Sequence, residues 1–191
     1  MKYPWLALII VMVLIISAPV LGEGTNKLIN PGFEDFPEGV NPQEALGGVP
    51  MGWVELGSAS ENQKRELTDE VVRSGSYALK LTDGDANRAL GIRSEFVPVK
   101  GGDICLASVY TFIPKEGGAS RSMMYLEFWD EAKRVRVEHS SVNESTKNEW
   151  MEMTLVLTAP SEAKYATILL YSNVPAEGII YFDDAKLEVI K

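Results

Sequence analysis

The chain has 191 residues, 46% of them hydrophobic and 24% charged, which is the make-up of a single globular domain and not of a long multidomain enzyme. Acidic residues outnumber basic ones 27 to 18 for a formal charge of -9, and no basic stripe or arginine cluster in the sequence offsets it, so a nucleic-acid backbone is not an expected partner. The single cysteine, Cys105, leaves no internal disulfide and no structural zinc site of cysteines to hold the fold.

Lys2 precedes an apolar run over residues 5–16, which has the length of a signal-peptide core and falls short of a membrane span of about 20 residues. Val20 and Gly22 occupy the third-last and last positions before a cut after Gly22. Residues 1–22 therefore read as a signal peptide, and residues 23–191 as one exported domain of charge -10. The alternative is an uncleaved anchor, because the apolar character continues to Leu21. The expected location is extracellular, with no stable membrane insertion once the signal is removed. A lone thiol crossing an oxidising space predicts a buried Cys105.

Beyond Gly22 no amphipathic helix stands out. Short runs rich in Val, Ile, Leu, Tyr and Phe recur instead, separated by Gly, Pro, Asn and Asp: 27–29, 77–82, 89–99, 105–113, 123–130, 134–138, 150–158, 165–171 and 179–189. This spacing predicts an all-β fold, a two-sheet antiparallel jelly-roll β-sandwich. Residues 35–52, with three prolines and four glycines, form a long irregular excursion near one end.

Alternation sorts the faces, because successive strand side chains point to opposite sides. Met124, Leu126 and Phe128 share the core side of their run, opposite Tyr125, Glu127 and Trp129. The same test turns Cys105, Ala107, Val109, Ile168, Leu170, Met151, Met153, Leu155 and Leu157 inward, and Ser108, Tyr110, Thr167 and Tyr171 outward. One outer face is thus polar yet carries Tyr110, Tyr125, Trp129 and Tyr171. Flat rings stack on the apolar faces of pyranose sugars, while Glu127 and Arg93 bond hydroxyls, so these six residues form the candidate carbohydrate-binding set. Trp129 is the expected ligand platform. The competing reading packs these rings under loops.

Several segments carry a family likeness. Asn30-Pro31-Gly32-Phe33-Glu34, Gly52-Trp53, Ser74-Gly75-Ser76-Tyr77-Ala78-Leu79-Lys80-Leu81, Glu149-Trp150 and Tyr181-Phe182-Asp183-Asp184-Ala185-Lys186-Leu187 occur in the order in which carbohydrate-binding modules of families four, nine, sixteen and twenty-two carry similar residues. The whole of 23–191 resembles these galactose-binding-like jelly rolls. The resemblance implies an appendage of secreted glycoside hydrolases and lyases, with a polysaccharide or oligosaccharide ligand and a surface or enzyme partner. Trp53 and Trp150 match scaffold tryptophans of these modules.

A jelly roll can place its first and last strands side by side, bringing Glu34 near Asp183. Two carboxylates with free carbonyls at the Ser74-Gly75-Ser76 turn compose an oxygen cage suited to calcium. The resembling modules carry a structural calcium in this region, which implies Glu34, a carbonyl near Ser74, and Asp183 as its ligands. Asp184 competes with Asp183, since alternation lets one of them point into the cage unless a bulge intervenes.

Catalytic signals are sparse. His139, the sole histidine, could serve a lyase as base beside a tyrosine, and Glu127 with Glu138 or Glu152 could form a hydrolase pair. No phosphate loop or nucleophile elbow occurs in the sequence. The leading expectation is a secreted, non-catalytic carbohydrate-binding protein with a structural calcium. The alternatives are a structural or protein-binding sandwich without a glycan ligand and, after it, a small lyase or hydrolase.

Overall fold

The structure is a computed structural model that describes residues 24–175 and 177–190. The predicted signal segment, 1–22, lies outside the described residues. Two antiparallel sheets face each other. The six-stranded sheet runs β1 (Trp53–Leu56), β4 (Gly91–Ser94), β10 (Tyr165–Tyr171), β7 (Ser122–Trp129) and β8 (Arg136–Glu144), with the short β5 (Val97–Pro98) also paired to β10. The five-stranded sheet runs β2 (Gln63–Thr68), β3 (Ala78–Asp83), β11 (Gly178–Ile190), β6 (Ile104–Phe112) and β9 (Trp150–Thr158). The predicted jelly-roll sandwich is the observed fold.

The inward rows are those that alternation selects. Met124, Leu126 and Phe128 of β7 and Ile168 and Leu170 of β10 meet Cys105, Ala107 and Val109 of β6 and Ile180, Phe182 and Leu187 of β11, all without solvent contact. Each Val, Leu, Ile, Met or Phe among them removed from water contributes about 1.5–3 kcal/mol, which makes these rows the main support of the sandwich. On β9 the expected inward set is half-buried apart from the buried Met153, because β9 is an edge strand.

Several elements differ from expectation: the predicted run 134–138 is the longer β8, and 89–99 divides into β4 and β5. Residues 27–29 form no strand, although the Lys27 N–H donates to the Leu187 carbonyl at 2.8 Å. The strands β1 and β2 fall outside the predicted runs; β1 is a short Trp-Val-Glu-Leu, and β2 reads Gln-Lys-Arg-Glu-Leu-Thr. Its buried Arg65 reaches across to the other sheet instead, donating from Nε to the Gly91 carbonyl at 2.8 Å and from Nη2 to the Leu56 carbonyl at 2.6 Å. A buried guanidinium is tolerated where its N–H groups find acceptors, and here they tie β2 to β1 and β4. Residues 35–52 are irregular as expected, with one helical turn, α1 (Pro42–Ala45).

Trp53 plugs the sandwich end, 5% exposed, donating from Nε1 to the Asn30 carbonyl at 3.2 Å and packing on Phe33 at 5.4 Å. Cys105 is wholly buried, and burial together with the Asp103 charge pushes its thiol up to about 11. Thiolate is the reactive form. Native protein at pH 8 is therefore expected to resist iodoacetamide, with one alkyl group per chain appearing on unfolding in urea; rapid native labelling by mass spectrometry would contradict this packing.

Candidate functional site

The outer face of the six-stranded sheet is hollowed. A recess of about 470 Å³ is lined by Arg93 from β4, Tyr125, Glu127 and Trp129 from β7, Leu169 and Tyr171 from β10, and Arg136 and His139 from β8. Leu56 and Asn173 complete the lining. Five of the six residues read as sugar-binding thus line one site.

The sixth does not. Tyr110 stands on β6, in the other sheet, under the Arg73 guanidinium at 3.4 Å from the ring centroid. Alternation gave its face correctly as outward, but it carries no information about which sheet owns the strand.

At the centre lies Glu127. Its carboxylate is wholly buried and accepts from Arg136 Nη1 at 2.7 Å, Arg93 Nε at 2.9 Å and Thr167 Oγ1 at 3.1 Å. Burying an ionised carboxylate is costly unless charge and hydrogen bonds compensate it, and two guanidiniums with a hydroxyl supply both. Glu127 is therefore an anchor beneath the recess; both oxygens are spent, which corrects its expected role as a partner of sugar hydroxyls.

Trp129 is also corrected. It lines the recess but is 8% exposed, with its indole N–H donating to Thr167 Oγ1 at 2.9 Å. The Arg93 guanidinium lies 4.5 Å from the centroid of its ring, and the Phe96 ring meets it edge-on at 5.7 Å. The indole is a floor that holds Arg93 level. It is not a free platform.

The accessible rings are Tyr125 and Tyr171, both half-buried, 6.0 Å apart and nearly perpendicular at 86°. Tyr171 crosses Gly91, where a Cβ would come within 2.6 Å of the ring carbon Cδ2 and of the Leu170 carbonyl. A glycine at this point of β4 lets the ring lie down on the sheet. His139 stands beyond Tyr125, with ring centroids 6.0 Å apart.

Arg136 and His139 are residues that the sequence reading left out of the binding set. Three apart on a regular strand they would face opposite ways. A register shift opposite Phe128 and Trp129 pairs His139 with Glu127 and Arg136 with Trp129, so both turn to the recess. A bulge of this kind leaves no mark in apolar alternation.

A second bulge, between Asp183 and Lys186 of β11, shapes the predicted cation corner. It lets both aspartates face the 73–77 turn. Asp183 Oδ2 accepts from the Arg73 and Ser74 N–H groups at 2.9 and 3.2 Å, while Asp184 takes Arg73 Nη1 at 2.5 Å and Ser74 Oγ at 2.8 Å. Glu34 Oε1 accepts from the N–H groups of Ser76 and Tyr77 at 2.8 and 2.9 Å. Gly75, at φ +67°, is required there, since a Cβ would fall 2.3 Å from Glu34 Oε1. Burial pushes the Asp183 carboxyl up to about 6 against the opposing N–H bonds. Among the described residues no three His, Cys, Asp or Glu side chains gather closely enough to hold a metal by themselves.

No protein-family model and no curated protein matches the sequence. Solved structures share the fold at low identity. The enzymatically active domain of bacteriophage CBA120 tailspike protein 4 superimposes with a TM-score of 0.61 at 13% identity, covering 73% of this chain and 20% of that one. An arabinose-bound GH51 α-L-arabinofuranosidase gives 0.60 at 15%, covering 89% and 27%. The CBM22-1 xylan-binding domain of Paenibacillus barcinonensis Xyn10C gives 0.55 at 16%, covering 84% and 92%. The chain thus spans about a fifth and a quarter of the first two proteins, and nearly all of the third. At these identities the likeness is one of fold alone, a two-sheet jelly-roll β-sandwich.

Glu127 sets the energetics of the recess. Replacing it by Gln leaves two guanidiniums short of their counter-charge, and Glu127→Gln is expected to cost about 3 kcal/mol in urea unfolding. Arg136, whose side chain is 39% exposed, rehydrates readily, so Arg136→Gln is expected to cost about 1 kcal/mol or less. Equal losses would show that Glu127 is no anchor.

Proposed function

We propose that the chain is an exported, non-catalytic carbohydrate-binding protein that takes a polysaccharide or oligosaccharide in the recess on its six-stranded sheet. The observation that carries this reading is the convergence of Tyr125 and Tyr171 with two arginines over one recess of about 470 Å³. Perpendicular tyrosines offer a sugar ring one face to lie on and one edge to abut, while N–H donors at their margin fix its orientation. The solved neighbours include a xylan-binding domain, which supports a polymeric sugar as the ligand class.

The chemistry of the lining supports binding without cleavage. Glycoside hydrolysis needs two carboxyl groups about 5–9.5 Å apart across the bond. Glu127 is the sole carboxylate among the lining residues, and it is tied to two arginines and a threonine. His139 and Tyr125 are neighbours, and they serve here as contacts.

The test is retention on insoluble polysaccharides and on a glycan array. Tyr125→Ala and Tyr171→Ala should each weaken retention about tenfold, the equivalent of one lost ring contact of about 1.4 kcal/mol. Tyr110→Ala, on the other sheet, should leave it unchanged. No release of reducing or unsaturated ends should accompany binding. Failure to retain any polymer removes the reading in favour of a structural or protein-binding sandwich.

The same proposal includes a structural calcium at the 73–77 turn. What supports it is Asp183, wholly buried with N–H groups but, among the described residues, no side-chain cation hydrogen-bonded to it, and Glu34 on the same turn. Charge and burial there fit a hard cation, which Glu34, Asp183 and a carbonyl near Ser74 would hold, bracing the junction of the turn with β11. Calcium at a hundredfold excess over Kd should stabilise the protein by about 2.7 kcal/mol relative to chelator. An unchanged melting midpoint would remove calcium from the proposal.

A further inference from the structure

The recess has an unusual polar balance. Of the two guanidiniums, Arg93 spends Nε and Arg136 spends Nη1 on Glu127, and their remaining N–H groups meet no protein acceptor among the described residues. None of the Arg93 nitrogens is a buried unpaired atom, and the Arg136 side chain is 39% exposed, so both guanidiniums open to solvent. Asn173 adds another donor, because its Oδ1 already accepts from the Val174 N–H at 3.0 Å. The charged acceptor of the lining is correspondingly committed. Both oxygens of Glu127 are taken, and the two tyrosine hydroxyls and the His139 imidazole are groups that serve either way.

A neutral sugar presents hydroxyls, each both donor and acceptor, and suits a site that offers both. A lining of free guanidinium N–H groups without free carboxylates suits a ligand that is all acceptor. The charge agrees: two guanidiniums against one carboxylate leave the recess with a surplus positive charge in a chain whose formal charge is -9. Arginine forks match planar, two-oxygen anions, and such bonds are about twice as strong as neutral ones.

We propose that the recess is built for an acidic saccharide, in which a carboxylate or sulfate takes the free N–H groups of Arg93 and Arg136 while the sugar ring rests on Tyr125 and Tyr171. The proposal rests on the saccharide reading of the same recess. Trp129 and Glu127 preset the geometry, one levelling Arg93 from below and the other tethering both guanidiniums, so the anion meets donors already in position. The acidic remainder of the surface works against loose adsorption of anionic polymers, which confines their binding to this spot.

The experiment compares each acidic polymer with its own neutral counterpart: polygalacturonate, alginate, hyaluronan and glucuronoxylan against their carboxyl-reduced forms, and dextran sulfate against dextran. Affinity electrophoresis at 0.15 M salt, where the Debye length is about 8 Å, suppresses distant charges and leaves contacts. At least one acidic polymer is expected to bind about tenfold tighter than its neutral form, and the sulfate arm tells which anion is favoured. Arg136→Gln should abolish that preference by weakening binding of the acidic form about tenfold more than binding of the neutral form. Arg93→Gln, checked for its melting temperature, should do the same, and Arg136→Lys should recover part of the preference because it restores charge without the fork. Equal binding to acidic and neutral forms overturns this inference and leaves the general saccharide reading intact. Absence of binding to every polymer overturns both. An acidic preference that survives both Gln variants places the anion elsewhere and overturns the inference alone.

Discussion

A single buried carboxylate governs the recessed face. Glu127 sits on a central strand where every neighbour along the hydrogen-bonding direction is fixed by register: Thr167 directly across on β10 and His139 directly across on β8. In that position an ionised group survives only if cations come to it, and Arg93 and Arg136 are drawn in from opposite sides. Thr167 completes the shell and passes its own acceptor capacity to the Trp129 indole. The tethering of both guanidiniums descends from this one residue, while Trp129 levels Arg93 from below.

Both register shifts described above serve the same end in different sheets. On β8 a shift turns Arg136 to the side of Glu127, and on β11 a shift lets consecutive aspartates address one turn. Regular pleating would have offered one of each pair to its partner. The two polar clusters lie on opposite sheets, with the apolar rows of β6, β7, β10 and β11 between them. Their energies should then be nearly additive, since no partner is shared.

How much of this could be read in advance depends on what alternation measures. It reports side, so Met124, Leu126 and Phe128 fell to the core and Tyr125, Glu127 and Trp129 to the outer face, as observed. It does not report depth. Trp129 and Glu127 lie on the outer side and are nonetheless covered, by arginines that long, flexible stems bring from neighbouring strands. Nor does it report sheet membership, which separated Tyr110 from the other rings. The polar strand β2 escaped notice because its buried members are Gln63, Arg65, Leu67 and Thr68, of which only Leu67 is apolar. One hint of the recess was present: Arg93, Glu127 and Arg136 are charged residues within or beside strand-like runs, and charges there demand partners.

The wall formed by β8 differs from the rest of the recess. β8 is the outermost strand of its sheet, and Arg136 and His139 are exposed, whereas Arg93, Glu127 and Trp129 are locked into the interior strands. Changes to interior members disturb the foundation of the recess. Changes on the outer strand reach its rim at a cost to the fold of about 1 kcal/mol or less. If the recess takes a saccharide as proposed, a lineage or a protein engineer could retune what it recognises by editing that rim while the fold underneath goes on nearly as before.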